Sequence, residues 1–264
     1  VQFSNQFFTA NETKHEPVKH NSKHLKRIFK NTITGCEKMK KSNSTTARQA
    51  QGFKFEEIII PVKTGMTKQQ LQNHTQTTNT AEWDIPTGKY KGVTLKNHSI
   101  KTFQKKGSSG TIYFGDAIRF YKATSKNAEP FTVIAGEYSS INGKKMVHAI
   151  YEIEIDPKQY NEKFWKNADY NKIVKVDEYI KKVPHGPGQR ELHKPKYTPM
   201  ITESYNGKKG IVTINPKLDS GKQRRLQTSI TKKRLRDNGV VLTEYTTSYC
   251  GLTLPVEITD DSND

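Results

Sequence analysis

The chain has 264 residues, of which 32% are hydrophobic and 27% are charged, so it can build a core beneath a very polar surface. The 44 lysine and arginine residues against 26 aspartate and glutamate residues give a net charge of +18. Such an excess indicates a polyanionic partner, nucleic acid before an anionic membrane surface. The sequence contains no apolar run of about 18 residues, which excludes a membrane-spanning helix. Cys36 and Cys250 lack metal-ligand spacing and favour reduced thiols in a cytoplasmic compartment.

The N-terminal third of the chain is predicted to be helical. Residues 1–45 form a polar, basic arm with one short helix over 22–31. A capping-box pattern at 46–49 predicts a helix that ends at Pro61, because proline lacks the amide that a continuing helix needs. A further short helix is predicted over 67–74.

From Trp83 onward, short runs of β-branched and aromatic residues predict strands. Strands are expected over 83–85, 93–95, 99–103, 111–114, 131–135, 146–155, 211–214 and 240–245, with a hairpin turn at 142–143. Helical segments are expected over 116–122, 161–167 and 231–237, a proline-rich loop over 185–199, and either helix or strand over 226–230.

The order of these elements predicts an α/β (α+β) fold with a central mixed β-sheet flanked by helices. The chain shows no internal repeat and no domain boundary, so residues 1–264 are expected to form a single domain. Within it, residues 46–155 would be the catalytic core, and residues 156–264 a basic C-terminal portion that recognises DNA.

The chemistry-bearing pattern is an acid on one strand followed by a lysine on the next. Asp84 ends a predicted strand, and Ser99-Ile100-Lys101 lies on the following extended segment. Because side chains alternate along a strand, Ser99 and Lys101 share a face and Ile100 points into the core. Asp84 is suited to hold a divalent cation, and Lys101 to orient water and balance developing negative charge. The alternative for Asp84 is an aspartate that caps a turn.

The predicted helix upstream carries Arg48, Gly52 and Glu56 four residues apart, on one stripe. A glycine inside a helix is easiest to explain where a backbone or a phosphate comes close. Glu56 is therefore expected at the edge of the Asp84 site as an additional metal ligand, with Glu57 as the neighbour that could be mistaken for it. The alternative is a solvated charged stripe on a surface helix.

Taken together, these motifs resemble the PD-(D/E)xK nuclease superfamily and, more narrowly, the type II restriction endonucleases. The resemblance covers residues 45–155 and 205–232. It implies a restriction-endonuclease-like fold, Mg²⁺ as cofactor and hydrolysis of double-stranded DNA at a specific short sequence by a homodimer, leaving 5′-phosphate and 3′-hydroxyl ends.

The chain departs from the family pattern where Ser99 replaces the second acid. Glu56 is the candidate that supplies the missing carboxylate, and Glu82 is the runner-up. In this interpretation Asp84 and Glu56 are the metal ligands, Lys101 positions the attacking water, and Ser99 donates a hydrogen bond to a water of the site.

A basic segment from Lys208 to Arg236 holds ten lysine and arginine residues and a single acid, Asp219. Arginine and glutamine read guanine and adenine edges, whereas lysines contact phosphates. The residues expected to bind DNA are Arg48, Lys217, Lys222, Gln223, Arg224, Arg225 and Gln227. A second basic loop over 185–196 is also expected to follow a groove. The alternative is a solvated basic face, which for the lysines is the better interpretation.

Two other functions remain open from the sequence. Charge and the missing second carboxylate also fit a nucleic-acid-binding protein without catalysis. A nuclease of the same fold that acts in repair, junction resolution or mobile-element biology fits the motifs equally.

Overall fold

The computed structural model describes residues 47–77, 82–105, 110–219 and 225–258. Its helices are α1 Ala47–Thr64, α2 Lys68–Thr75, α3 Ala117–Ala123, α4 Pro157–Trp165, α5 Tyr170–Lys182, α6 Gln189–Ser204 and α7 Lys232–Asp237. Its longer strands are β3 Asn97–Gln104, β4 Thr111–Asp116, β5 Phe131–Ile141, β6 Lys144–Ile155, β7 Thr213–Lys217, β8 Arg225–Thr231 and β9 Leu242–Tyr245. The short strands are β1 Gly88–Tyr90, β2 Val93–Leu95, β10 Ser248–Tyr249, β11 Leu252–Thr253 and β12 Val256–Glu257.

The central sheet is mixed, as the sequence predicted. Its strands run in the order β12-β6-β5-β3, and β9 also pairs with β6. β3 and β5 are parallel, whereas β6 is antiparallel to β5, β9 and β12. A separate antiparallel sheet has the order β4-β8-β7. The mixed α/β class is therefore confirmed.

Alternating side chains of β5 place a separate core on each face of the central sheet. Ile134 belongs to the core beneath α1, together with Phe55 and Ile100. Its neighbours Val133 and Ala135 belong to the larger core on the other face, which also contains buried residues of the β4-β8-β7 sheet and of helices α3 to α7. Burial of apolar area on both faces fixes the register of the sheet, because a slip of one residue would exchange the faces.

Several predicted elements are confirmed with small changes in their bounds. The helix over 67–74 is α2, and a full capping box between Thr67 and Gln70 begins it. The hairpin turn at Asn142-Gly143 joins β5 to β6, with φ of 51° and 77° at the two residues. Asp116 caps α3 by accepting a hydrogen bond from the Arg119 amide. The ambiguous segment over 226–230 is a strand, within β8.

Proline was weighted too heavily in two predictions. The helix expected to end at Pro61 continues to Thr64. Two carbonyl groups in its last turn accept hydrogen bonds from a side chain outside the helix. Lys91 Nζ donates to the Pro61 and Val62 carbonyls at 3.3 and 3.0 Å. The loop predicted over 185–199 is wrong from Gln189 onward, because α6 begins there and contains Pro195 and Pro199. Most of the basic loop expected over 185–196 is therefore helical as well. Packing of α6 against α5 and β7, with Tyr197 buried, outweighs the two missing amides.

Other predictions were incomplete or lie outside the described residues. α5 was not predicted at all, and only a helical turn was expected where α4 lies. The helix over 22–31 and the N-terminal arm fall outside the described residues. Across the part of the chain that is described, no helix is long and apolar enough to cross a membrane.

Candidate active site

Asp84 is held at the edge of the central sheet by backbone pairing with β3. The Asp84 and Ile85 amides donate to the His98 carbonyl at 2.9 and 3.1 Å, and the His98 amide donates to the Ile85 carbonyl at 2.7 Å. Ile85 is fully buried in the core beneath α1. The sequence Asp84-Ile85 thus anchors one residue in the core and leaves the carboxylate of the other beside β3.

One carboxylate oxygen of Asp84 accepts all the hydrogen bonds that the described residues make to this side chain. Oδ2 accepts from the Ile100 amide at 2.6 Å, from Ser99 Oγ at 3.3 Å and from Lys101 Nζ at 3.3 Å. Oδ1 has no hydrogen bond among these residues. The Asp84 and Lys101 side chains are 24% and 27% exposed, so the free oxygen and the ammonium group are accessible to a ligand. The predicted alternation on β3 holds, since Ile100 is buried between half-buried Ser99 and Lys101.

Helix α1, which carries Glu56, packs against β3. Phe55, next to Glu56, is fully buried and packs on Gly136 of β5, where an added Cβ would lie 2.6 Å from the Phe55 ring. This close approach fixes the height and rotation of α1 above the sheet. Glu57, the neighbouring acid, is exposed, and so is Glu82, the runner-up.

Glu56 interacts electrostatically with Asp84 and Lys101. Burial raises the pKa of its carboxyl above 4.5, and the Asp84 charge raises it further, whereas Lys68 and Lys101 oppose this rise. A cation near both carboxylates would offset the effect of the Asp84 charge on Glu56. Asp84, Ser99 and Lys101 are in contact in the structure, and Glu56 lies within electrostatic range of Asp84 and Lys101.

Sequence reasoning missed Lys68. Its ammonium group lies 2.5 Å from Glu56 Oε2 and 4.7 Å from the centre of the Phe53 ring. Lys68 is the first residue of α2, whose capping box holds the helix start in place. The capping pattern at Thr67–Gln70 was readable from the sequence, but the meeting of α2 with α1 was not.

The donor set of the cluster fits Mg²⁺. Mg²⁺ prefers oxygen ligands and is commonly held by one or two carboxylates while it keeps several waters. Asp84 Oδ1 and the Glu56 carboxylate supply two such oxygens. Among the described residues no group of three or more histidine, cysteine, aspartate or glutamate side chains converges, so the cluster offers two carboxylates and no more.

The residues expected to bind DNA are only partly described. Lys217 of β7 and Arg225 of β8 are cross-strand partners, and Gln227 lies opposite Asn215 and Asp116 in the same sheet. Burial lowers the pKa of the Arg225 guanidinium, with Asp116 opposing and Arg119 adding to this effect. Its Nε is buried without a hydrogen-bond partner among the described residues. The side chain of Arg48 and the whole of Lys222, Gln223 and Arg224 lie outside the described residues.

One lysine of the basic segment does not belong to a nucleic-acid face. Lys232 was grouped with the surface cations, but it is 6% exposed and donates to both oxygens of Glu137, at 2.9 and 3.1 Å. It also donates to the Tyr151 hydroxyl at 2.8 Å, and that hydroxyl lies 2.7 Å from Glu244 Oε1. This cluster joins α7 to β5 and β6 inside the larger core and ends at Glu244 of β9, which is exposed.

A cavity of about 390 Å³ lies between α6 and β7, away from the Asp84 cluster. It is lined by Arg190, Lys194, Tyr197, Thr198, Ile201, Thr202, Tyr205, Gly207, Lys209, Ile214, Asn215 and Pro216. None of the predicted catalytic residues lines it. The exposed cluster at the sheet edge is therefore the better candidate for chemistry, because it combines carboxylates with an accessible ammonium group.

Comparisons with protein-family models, curated proteins and solved structures gave no significant match.

Proposed function

We propose that the protein is a Mg²⁺-dependent endonuclease of the type II restriction class, which hydrolyses phosphodiester bonds of duplex DNA at a specific short sequence. The observation that carries the proposal is the contact set of Asp84. Its Oδ2 is bound by the Ile100 amide and Lys101, while Oδ1 has no hydrogen bond among the described residues. A carboxylate fixed in this way is preorganised, so it needs little rearrangement to bind a cation.

Each side chain of the cluster has a role in this proposal. Asp84 and Glu56 would hold Mg²⁺, which supplies positive charge at the scissile phosphate and activates water. Lys101 orients the attacking water and stabilises the negative charge that develops on the phosphate oxygens. Ser99 keeps a water of the site in place through its hydroxyl group. The expected products carry 5′-phosphate and 3′-hydroxyl ends.

The net charge of +18 supports a DNA substrate. A protein that neutralises several phosphates releases their counterions, so its affinity for DNA falls steeply as salt increases. We expect log Kd to rise linearly with log salt, with a slope of several units. An affinity that does not change with salt would argue against a nucleic-acid partner. The homodimer that such enzymes form is part of the proposal, and light scattering with and without DNA tests it.

Cleavage of a sequenced plasmid with Mg²⁺ and with EDTA tests the proposal directly. Asp84→Asn and Lys101→Met should each reduce the cleavage rate by about 100-fold or more, while DNA binding in Ca²⁺ changes little. Glu57→Gln and Lys96→Met are matched controls, since both side chains are exposed neighbours outside the cluster. Turnover near the wild-type rate in Asp84→Asn would remove the assignment.

The pattern of products separates the remaining alternatives. Discrete fragments with mapped, identical ends favour restriction, whereas nicking that depends on DNA structure favours a repair or mobile-element nuclease. A nucleic-acid-binding protein without catalysis is favoured by the pairing of both carboxylates with lysines. It would bind DNA with the same salt dependence and would leave the plasmid intact.

A further inference from the structure

Lys68 is a charged group of the candidate active site to which the proposed chemistry gives no role. Among the described side chains, the cluster contains two carboxylates and two ammonium groups. Lys101 pairs with Asp84 at 3.3 Å, and Lys68 pairs with Glu56 at 2.5 Å. The four charges therefore balance, and the closer of the two contacts involves Lys68.

The contact of Lys68 with Glu56 is held in a fixed frame. α1 is seated by Phe55 on Gly136, and α2 is seated by Leu71, which is 2% exposed. Between the helices Gly65 adopts a φ of 80°, and the Thr67–Gln70 capping box begins α2. The Lys68 side chain is 23% exposed and that of Glu56 is 14% exposed, so the pair is shielded more than an ordinary surface ion pair.

A divalent cation bound by Asp84 and Glu56 would compete with Lys68 for the Glu56 carboxylate. An ammonium group already on the Glu56 carboxylate must leave, or share the carboxylate, before that carboxylate binds another cation. Phe53 lies one helical turn before Glu56 and is 45% exposed. The Lys68 ammonium group already lies 4.7 Å from the centre of its ring, so this contact can hold the ammonium group after it leaves Glu56. The face of an aromatic ring attracts a cation through its quadrupole.

We propose that Lys68 is a positioning residue that occupies the Glu56 carboxylate as an internal cation and is displaced from this carboxylate when a divalent cation binds, while its ammonium group stays over the Phe53 ring. This rests on the proposed divalent-cation site at Asp84 and Glu56. In the free protein, the Lys68 charge reduces the repulsion between the two carboxylates. It also determines the concentration of divalent cation at which the site is half occupied. Binding of the divalent cation and of Lys68 to Glu56 are linked, so each weakens the other.

Titration with Mn²⁺, followed by the electron paramagnetic resonance signal of the free ion, tests this proposal without an activity assay. Lys68→Met should bind Mn²⁺ about tenfold more tightly than the wild type, a difference that corresponds to about 1.4 kcal/mol. Lys68→Gln should behave alike. Lys54→Met removes the same charge from α1 but leaves the Lys68–Glu56 contact in place, so it should change the affinity much less.

A double-mutant cycle shows whether Lys68 acts through Glu56. In the Glu56→Gln background, Lys68→Met should leave Mn²⁺ affinity unchanged. A purely structural lysine would instead weaken Mn²⁺ binding when it is removed, in either background. Equal or weaker binding by Lys68→Met than by the wild type overturns the proposal, as does the same increase in the presence and absence of Glu56.

The outcomes distinguish this proposal from the proposed function. If the wild type binds Mn²⁺ and Asp84→Asn abolishes the binding, the cation site stands whatever Lys68→Met does. If neither Asp84→Asn nor Lys68→Met changes the Mn²⁺ affinity, both the cation site and the role of Lys68 are wrong.

Discussion

Two lysine–carboxylate pairs of this protein differ in their exposure to solvent. Lys101 and Asp84 stand at the edge of the central sheet, each about a quarter exposed and 3.3 Å apart. Lys232 and Glu137 are 8% and 5% exposed, and Tyr151 completes their hydrogen bonding. The exposed pair keeps one carboxylate oxygen free of the described residues, whereas both Glu137 oxygens are engaged. An accessible, incompletely bonded pair can take part in chemistry, and a saturated buried pair can only hold elements together.

The largest effect on stability is expected where the buried pair is broken. Lys232→Met leaves the Glu137 carboxylate buried without its cation, which costs about 3–5 kcal/mol of unfolding free energy. Lys101→Met should cost less than about 1 kcal/mol, because water solvates Asp84. Chemical denaturation of the two variants measures the difference. Lys232→Met combined with Glu137→Gln should recover part of the loss, and equal stability of the two single variants would contradict the contrast.

A second test concerns how the fold places Glu56. Gly136→Ala puts a Cβ 2.6 Å from the Phe55 ring, and overpacking of this kind costs about 1–3 kcal/mol. Because Glu56 follows Phe55 on α1, the same shift should weaken Mn²⁺ binding at the cluster. Phe55→Leu in the Gly136→Ala background removes the clash and should restore part of both properties. A loss of stability with unchanged Mn²⁺ affinity would show that Glu56 is not positioned through this contact.

A third test uses pH and another carboxylate on the central sheet, Glu152. Burial alone would raise its pKa, but hydrogen bonds from Lys63 and Tyr249 outweigh this and lower it below 4.5. A carboxyl group whose pKa is lowered by folding stabilises the fold at pH values above its ordinary pKa. This stabilisation is lost as the pH falls through the folded-state pKa.

Glu152→Gln should therefore reduce the unfolding free energy by about 1–2 kcal/mol near neutral pH. The deficit relative to the wild type should shrink as the pH falls below 4.5. Glu154→Gln is the matched control on the same strand, since Glu154 is exposed and should have little effect. A deficit that is independent of pH would show that the charge of Glu152 does not matter.

Local patterns in the sequence were enough to predict the acid–lysine cluster. Asp84 and Lys101 are brought together by adjacent backbone pairing, and the period of a strand decides that Ser99 and Lys101 share a face. Glu56 required an inference across the fold, and it rested on helical spacing alone. Lys68 could not be found in this way, because its contact depends on how two helices pack. Long-range packing also decided the burial of Lys232, which the composition of its segment placed at the surface.

Proline marked the limit of local rules. Pro61, Pro195 and Pro199 each remove one helical hydrogen bond, a cost that the sequence reveals. The compensation is tertiary: Lys91 binds the last carbonyls of α1, and α6 buries Tyr197. α5 was not predicted, although its apolar residues recur with helical spacing. The sequence signal is the spacing of Ile173, Val176 and Ile180 at i, i+3 and i+7, and the structure buries these three residues.

The smallest expected effect concerns Gly52, which lies within α1. Unlike at Gly136, a Cβ added at Gly52 meets nothing within 4 Å. Gly52→Ala should therefore raise the unfolding free energy by about 0.5–1 kcal/mol through helix propensity alone. Gly52 lies one turn before Glu56 on the same stripe. If a DNA phosphate approaches that stripe, the added methyl group should weaken DNA binding severalfold while the protein becomes more stable. Denaturation and fluorescence anisotropy with a duplex oligonucleotide measure the two quantities separately. Higher stability with unchanged DNA affinity would show that the DNA binds elsewhere, because a methyl group at Gly52 would then not obstruct any phosphate.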